Sequence, residues 1–421
     1  MAKIETMKTI ILGAGITGLS MARLLQNAHQ EVIILEKEAT IGGIAKTKQI
    51  GGTTYHPVGG HCFNSKHPDV MAFIFKILPP DQWHKITRCS KIDLNSYEVD
   101  YPIEFSIQQI YHHDKELAYN IVEDFLSTNN NGQYSNLEDW FRKKFGNTLS
   151  ELYFIPYNTK IWGREPREMS STWVETKLPI PNKKAFIDGL LTPMRDTMPH
   201  SWFYYPNSNN QATLINALAD QLTIKTNTAA KSIERHNGKW LINGEYEADL
   251  LISTIPLNIL PSLIKQTPDV ILNAAKKLQY NKVSNVLWES QPTNKTWSYH
   301  PLKSTIFHRY IHIGNFFSPT QNYTITEAIG ERSYEEMVEY GKRDPFLITP
   351  IDYNISEHAY VVYDENRDQA VATIQNYLKQ IGLISIGRFG QWEYFNMDVC
   401  MKQAINTYNE LSQRTNDCIF D

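Results

Sequence analysis

The chain is poor in cysteine. Cys62, Cys89, Cys400 and Cys418 are its only four in 421 residues, scattered with no paired spacing. That pattern excludes a disulfide framework and fits free thiols in a reducing cytoplasm. Long apolar runs are also missing. A membrane helix needs ~18–20 uncharged apolar residues, and the most apolar window, Ala248 to Ile264, is broken by Asp249, Pro256, Asn258 and Pro261. Met1 to Lys8 carry charge with no apolar segment behind them, so no secretory signal is expected. There is no basic tail or Lys/Arg run, and 41 basic residues against 45 acidic leave a net charge of −4. Nucleic acid is therefore not the expected partner, although one local pocket could still hold a small anion. His61, Cys62 and His67 lack a fourth ligand and any recognised metal spacing, so no metal is expected. Internal repeats and long low-complexity linkers are absent too.

What is present starts with length. At ~100–200 residues per domain, 421 residues predict two or three lobes. Tyr, Phe and Trp number 23, 17 and 9, a supply that can line a ligand cleft.

The first fifty residues carry the strongest local pattern. Thr9 to Leu12 form a β-branched and aliphatic run, read as a buried parallel strand. It leads into Gly13-Ala14-Gly15-Ile16-Thr17-Gly18, then helical spacing over Leu19 to Gln26, then a second strand, Glu31 to Leu35, closed by Glu36. Gly13 permits the tight turn, Gly15 lets the backbone approach a pyrophosphate, and Gly18 lets helix and strand pack closely. The helix N-terminus holds the phosphates, and Glu36 falls about where a carboxylate meets a ribose 2′-hydroxyl. Glu36 argues against a 2′-phosphate and hence against NADP. The continuation Glu36-Lys37, with Gly42-Gly43 beyond, resembles the flavoproteins that bind FAD with two dinucleotide-binding elements. The cofactor it implies is FAD.

Two distant segments return towards this unit. Ile384 to Ile386 read as a short strand followed by a glycine turn, with Asn396 or Asp398 capping a final helix. The N-terminus of that helix can stabilise negative charge, including that of a reduced flavin, or simply be capped. Glu247 to Pro256 follow a hairpin turning at Asn237-Gly238. Asp249-x-x-Ile252-Ser253-Thr254-x-Pro256 resembles the strand that re-enters the FAD domain of amine-oxidase-like flavoproteins.

Between the returns, Ser106 to Trp162 look helical. Ser135-x-x-Glu138 reads as a capping box ahead of Leu137, Trp140, Phe141 and Phe145, with Gly146 as the stop, and Thr148-x-x-Glu151 opens a further candidate helix. Ser127 to Ser135 read as an exposed polar loop. Asp93–Phe105, Val283–Trp288, Thr305–Phe317 and Tyr323–Ile329 are β-rich and suggest a mixed or antiparallel sheet. The expected fold class is α/β: a discontinuous Rossmann-like FAD-binding domain (1–90, 205–280 and 380–421), a helical substrate-binding insert (106–175) and a β-sheet domain (91–105, 176–204 and 281–379).

Five elements occur in order: Gly59 to Phe63, Tyr157-Asn158-Thr159-Lys160-Ile161-Trp162-Gly163, His308-Arg309-Tyr310 before Ser318-Pro319, Ala359 to Asp364, and Gly387 to Asp398. Together they resemble the UDP-galactopyranose mutase family across nearly the whole chain. The resemblance implies a reduced-FAD-dependent isomerase of glycan precursor biosynthesis, without net redox. The flavin N5 attacks the anomeric carbon of a nucleotide sugar, the nucleoside diphosphate leaves, and the covalently held sugar opens and recloses at a different ring size. It further implies that Tyr157 stacks on uracil, Asn158 bonds near it, and Trp162 walls the sugar site. Arg309 binds the diphosphate, a role suited to a guanidinium fork, and Tyr360 and Tyr394 bond phosphate oxygens. Gly60 and His61 lie beside the flavin N5, Arg388 meets the FAD pyrophosphate, Met397 and Asp398 sit near the flavin and ribityl chain, and Ala230 offers a backbone contact to adenine. The implied partners are the nucleotide sugar and an external reductant such as NAD(P)H or a reductase; the oligomeric state is open.

Two positions depart from the family pattern. A second arginine is replaced around Thr176 and Lys177, where Lys177 keeps the charge and loses the fork. After Tyr101-Pro102 the chain has Glu104, near the sugar, where a carboxylate favours hydroxyl or amino groups and repels a uronate. The shared end motifs also admit an amine-oxidase-type oxidoreductase with net hydride transfer. A flavin-bound scaffold without catalysis is the third reading.

Overall fold

A computed structural model describes residues 7–128, 132–174, 178, 180–191 and 201–417. A five-stranded sheet, parallel throughout, runs in the order Ile384–Ser385, Leu250–Ser253, Lys8–Leu12, Glu31–Leu35, Thr223–Lys225. The strands come from four separate stretches of sequence, including the two expected to return. Central strands of a parallel sheet are buried on both faces, and Ile10, Ile11, Leu251 and Ile252 are fully buried. Helix Ile16–Asn27 covers one face with Ala212–Ala219 and the long C-terminal helix Met397–Asp417. The other face carries helices Asp269–Lys277 and Arg367–Gln380 and the meander Ile233–His236, Lys239–Ile242, Tyr246–Ala248. Its first turn has Asn237 at φ 50° and Gly238 at φ 81°, the type I′ conformation expected of Asn-Gly.

The second sheet has seven strands, in the order Leu347–Val361, Tyr280–Ser290, Tyr323–Ile329, Arg309–Ile311, Trp297–Tyr299, Ser90–Asp93, Glu98–Asp100. Only Trp297–Tyr299 and Ser90–Asp93 pair in parallel, so the sheet is mixed. Against it packs a helical block. Lys115–Ser127 and Leu137–Phe145 precede a π-helical turn, Ser150–Phe154, that runs into Ile155–Trp162. Phe141 and Phe145 stack on Phe154 at 5.2 and 4.1 Å between ring centroids, closing the apolar stripe read from the sequence.

Both expected capping boxes are corrected. The first is Asn136, whose side chain accepts the Asp139 N–H at 2.8 Å, while the Asp139 carboxylate accepts the Ser135 N–H at 3.0 Å. The cap lies one residue later than expected, its return bond falls on the residue before the cap, and Glu138 instead pairs with Arg142 at 2.9 Å. At Thr148 the N–H and hydroxyl both donate to Asp124, at 2.7 and 2.6 Å, and Glu151 pairs with Arg142. Among the described residues, no helix is long and apolar enough to cross a membrane.

Candidate functional site

A cleft of about 1300 Å³ reaches from the ends of the parallel strands to the seven-stranded sheet. That exceeds the roughly 300–1,000 Å³ of a pocket for one small molecule, so there is room for a dinucleotide and a second ligand. At the first end, Gly15 caps helix Ile16–Asn27 in extended backbone and offers no side chain, which leaves the first-turn amides open to the cleft. Gly18 is dictated by packing, because a Cβ there would lie 2.0 Å from the Gly13 carbonyl oxygen. The Gly42-Gly43 turn presses on this loop: Gly42 N–H donates to the Ala14 carbonyl at 2.8 Å, and a Cβ on Gly43 would come within 3.1 Å of Gly15 Cα. Glu36 is buried, and its two carboxylate oxygens accept the Ala14 and Glu38 N–H groups at 2.7 and 2.9 Å. Each oxygen keeps acceptor capacity. Gly13, Ile16, Thr17, Lys37 and Ala230 line the same end.

The opposite wall is built by strand register. Asn354, Asn285, Glu327, Arg309 and Tyr299 are successive cross-strand neighbours. Directly paired residues share a face, so the five form one polar row. Within it Arg309 Nε donates to Glu327 Oε2 at 2.7 Å, Nη2 contacts the same carboxylate, and Nη2 also donates to the Tyr360 hydroxyl at 3.2 Å. Burial, the largest single influence, would weaken the charged guanidinium, but the Glu327 carboxylate together with Tyr360, Tyr157 and Tyr299 outweighs it and holds the Arg309 pKa well above its ordinary value. The Asn285 and Asn354 amides both donate to the Pro57 carbonyl, at 2.7 and 2.6 Å, fixing the segment that leads to Gly59, Gly60 and His61. A Cβ on Gly59, which has φ +94°, would lie 2.6 Å from Glu327 Oε1, so the loop rests directly on the ion pair. Burial, then the charges of Arg388 and Arg309, push the His61 imidazole down to about 4 against the opposing pull of the Gly59 backbone carbonyl. It is neutral at physiological pH, and its Nδ1 is buried without a hydrogen-bond partner among the described residues.

Tyr360 and Tyr394 stack at 5.6 Å and 29° on the rim of the same cleft. Arg388 lies over Tyr394 at 4.6 Å and is anchored to the Ala359 and Phe395 carbonyls at 2.5 and 3.1 Å. Its Nε is buried and has no partner among the described residues. Met397 and Asp398 open the C-terminal helix and line the cleft.

Other expected residues stand back from it. Tyr157 has one face stacked on Tyr153 at 5.3 Å and meets Tyr299 edge-on at 5.7 Å. The Asn158 amide is engaged within its own helix, donating to the Phe154 carbonyl at 2.8 Å and accepting from Trp162 Nε1 at 3.0 Å. Trp162 is buried edge-on behind Tyr360 and Tyr394. These three frame the cleft-lining tyrosines rather than line the cleft. The expectation for Glu104 is overturned: it is 3% exposed and off the cleft, and burial raises its carboxyl to about 8. A neutral carboxyl there cannot act as a charge facing the sugar. Thr176 and Lys177 lie outside the described residues. Sequence reasoning missed Glu327, Asn285 and Tyr299; the lone acid in the β-rich run Tyr323–Ile329 was the available signal.

The sequence pattern of the flavin containing amine oxidoreductases matches residues 16–300. The chain belongs to that family. Among its relatives, the UDP-galactopyranose mutase of Mycoplasma genitalium is 27% identical over 169 residues, 38% of this chain and 41% of that protein. The dTDP-fucopyranose mutase of Escherichia coli is 27% identical over 179 residues, 41% of this chain and 46% of that protein. The chain thus matches less than half the length of either. The crystal structure of a reduced UDP-galactopyranose mutase superposes with a TM-score of 0.84 at 21% identity, covering 97% of this chain and 96% of that one. The two share a fold.

The residues present fit the family's cofactor, FAD. Two interlocked glycine turns and a side-chain-free helix N-terminus make a cradle that any Cβ at Gly18 would close. The orphaned Arg388 Nε and His61 Nδ1 are unused polar atoms of residues that line the rest of the cleft. Glu36 and Ala230 would hold the adenosine end, the open amides and Arg388 the pyrophosphate, and Gly60, His61, Met397 and Asp398 the flavin.

Proposed function

We propose that the protein is a reduced-FAD-dependent mutase that interconverts the pyranose and furanose forms of a nucleotide sugar, with UDP as the nucleotide. The observation that carries this reading is Arg309, fixed by Glu327 in the polar row and flanked by the Gly59–His61 loop and Tyr360. The likeness to proteins named as nucleotide-sugar mutases supports it. Bound and reduced, FAD would supply a nucleophile at N5 for the anomeric carbon. The chain's residues do the remainder. Arg309 has Nη1 donors that no described group engages, and they would bind the diphosphate oxygens as negative charge gathers on the leaving group. Tyr360 and Tyr394 would donate their hydroxyls to the same phosphates. Neutral His61 would hold its loop against the flavin without adding a competing charge.

The same reading places the protein in the cytoplasm, in polysaccharide precursor formation, with NAD(P)H or a reductase supplying electrons. On this reading segments 1–90, 205–280 and 380–421 make up the FAD domain, joined by helix Arg367–Gln380, which packs on the parallel sheet, and the helical insert and sheet domain bound the substrate side.

The test is Arg309→Lys, which keeps a cation opposite Glu327 and loses the fork. It should retain FAD while UDP affinity falls by about ten-fold or more and turnover of the nucleotide sugar is lost. Unchanged UDP affinity would remove Arg309 from this role.

A further inference from the structure

The polar row extends past Tyr299 to a second guanidinium. Arg88 lines the same cleft, donating from Nε to Ser90 Oγ at 2.8 Å and from Nη2 to the Tyr299 hydroxyl at 2.7 Å. Its guanidinium lies over the rings of Tyr101 and Trp297 at 4.9 and 5.1 Å. Both hydrogen-bond acceptors are neutral hydroxyls and the two rings carry no net charge, so these contacts fix its direction and stabilise the cation only in part. Among the described residues no acid pairs with Arg88, whereas Arg309 is matched by Glu327. The two arginines of this row are therefore unequal, and the row's uncompensated charge sits at Arg88.

A guanidinium has five N–H donors, and two are engaged here. The other three include the paired Nη1 and Nη2 donors, the edge that binds both oxygens of a carboxylate. A partly desolvated cation without a counter-charge is costly unless something supplies one. The chain's candidate acid, Glu104, is buried off the cleft and neutral near pH 7, so it neither satisfies Arg88 nor opposes an incoming anion. Arg88 also lies close enough to Cys62, the residue after His61, for its charge to act on that thiol. Through its bond to Tyr299 it stands beyond Arg309 in the row, on the side away from Glu327. With the diphosphate at Arg309, what reaches Arg88 is the sugar.

Building on the mutase reading, we infer that Arg88 selects the sugar by binding a carboxylate on its ring, making the substrate class a nucleotide uronic acid. The family-level expectation of a neutral hexose is the competing outcome. The experiment is calorimetric titration of the FAD-loaded protein with UDP, UDP-glucuronate and UDP-galacturonate. UDP-glucose and UDP-galactose are the neutral counterparts, and Arg88→Gln and Arg88→Lys are titrated alongside wild type. At least one uronate should bind wild type about ten-fold or more tighter than its neutral counterpart. Arg88→Gln should erase that preference while leaving UDP affinity within about two-fold, and Arg88→Lys should keep part of it. Neutral sugars binding wild type as tightly as uronates, or a preference that survives Arg88→Gln, would overturn the inference while UDP binding upholds the mutase reading. Failure of UDP itself to bind would overturn both.

Discussion

Glu104→Gln turns burial into a measurable pH dependence. The wild-type carboxyl is 3% exposed on the 3-10 turn Ile103–Phe105, and burial raises it from 4.5 to about 8, against a small opposing contribution from a backbone N–H. Below pH 4.5 the group is protonated in both folded and unfolded chains and adds no pH dependence. Between pH 4.5 and about 8 the folded chain keeps a proton that the unfolded chain releases, so wild-type stability declines by ~1.4 kcal/mol per pH unit. By pH 7 that is a loss of about 3 kcal/mol, and glutamine has no such proton to hold. Unfolding entropy of ~2.1 cal/mol/K per residue over 421 residues converts this to about 4 °C in Tm. Melting the FAD-loaded protein at pH 5, 6, 7 and 8 checks it. The variant's advantage should be under ~1 °C at pH 5 and widen steadily towards pH 8. An advantage that does not change with pH, or a wild type that is the more stable protein at pH 8, would refute the reasoning.

Two further outcomes follow from packing and charge. Gly18→Ala places a methyl carbon 2.0 Å from the Gly13 carbonyl oxygen, so the turn must open and purified protein should have lost its FAD. A flavin-to-protein absorbance ratio equal to wild type would contradict this. Glu327→Ala strands the Arg309 charge and should cost roughly 3–5 kcal/mol in denaturant unfolding, mostly recovered in Arg309→Met/Glu327→Met. A cost below ~1 kcal/mol would mean that the pair is not electrostatically isolated.

Local pattern made much of the fold legible. The strand–glycine–helix–strand unit needs only neighbours in sequence, and Glu31–Leu35 forms with its expected bounds. The returning strand Leu250–Ser253 was legible because its apolar run follows an Asn-Gly hairpin. Caps were less secure. Ser135 and Asn136 can both cap, and the choice falls to the residue whose partner, Asp139, also reaches back to close the turn. The site was legible by residue type and less so by direction. Arg309 was found, but its pairing with Glu327 depends on the register of strands separated by a long connection. Tyr157 and Trp162 carry a recognisable motif, yet a π-helical turn before their helix decides which way they face. Glu104 misled because an acid between Ile103 and Phe105 looks the same in sequence whether it lines a cleft or lies beneath it.

The most direct measurement is anaerobic incubation of the FAD-loaded protein, dithionite-reduced or oxidised, with a panel of neutral and acidic UDP-sugars, reading ring size by NMR of the anomeric proton. The account predicts pyranose–furanose interconversion by reduced protein alone, with the flavin still reduced afterwards. Equal conversion by oxidised protein, or stoichiometric bleaching of oxidised flavin by a sugar with oxygen uptake on turnover, would contradict it. So would an absence of interconversion across the whole panel.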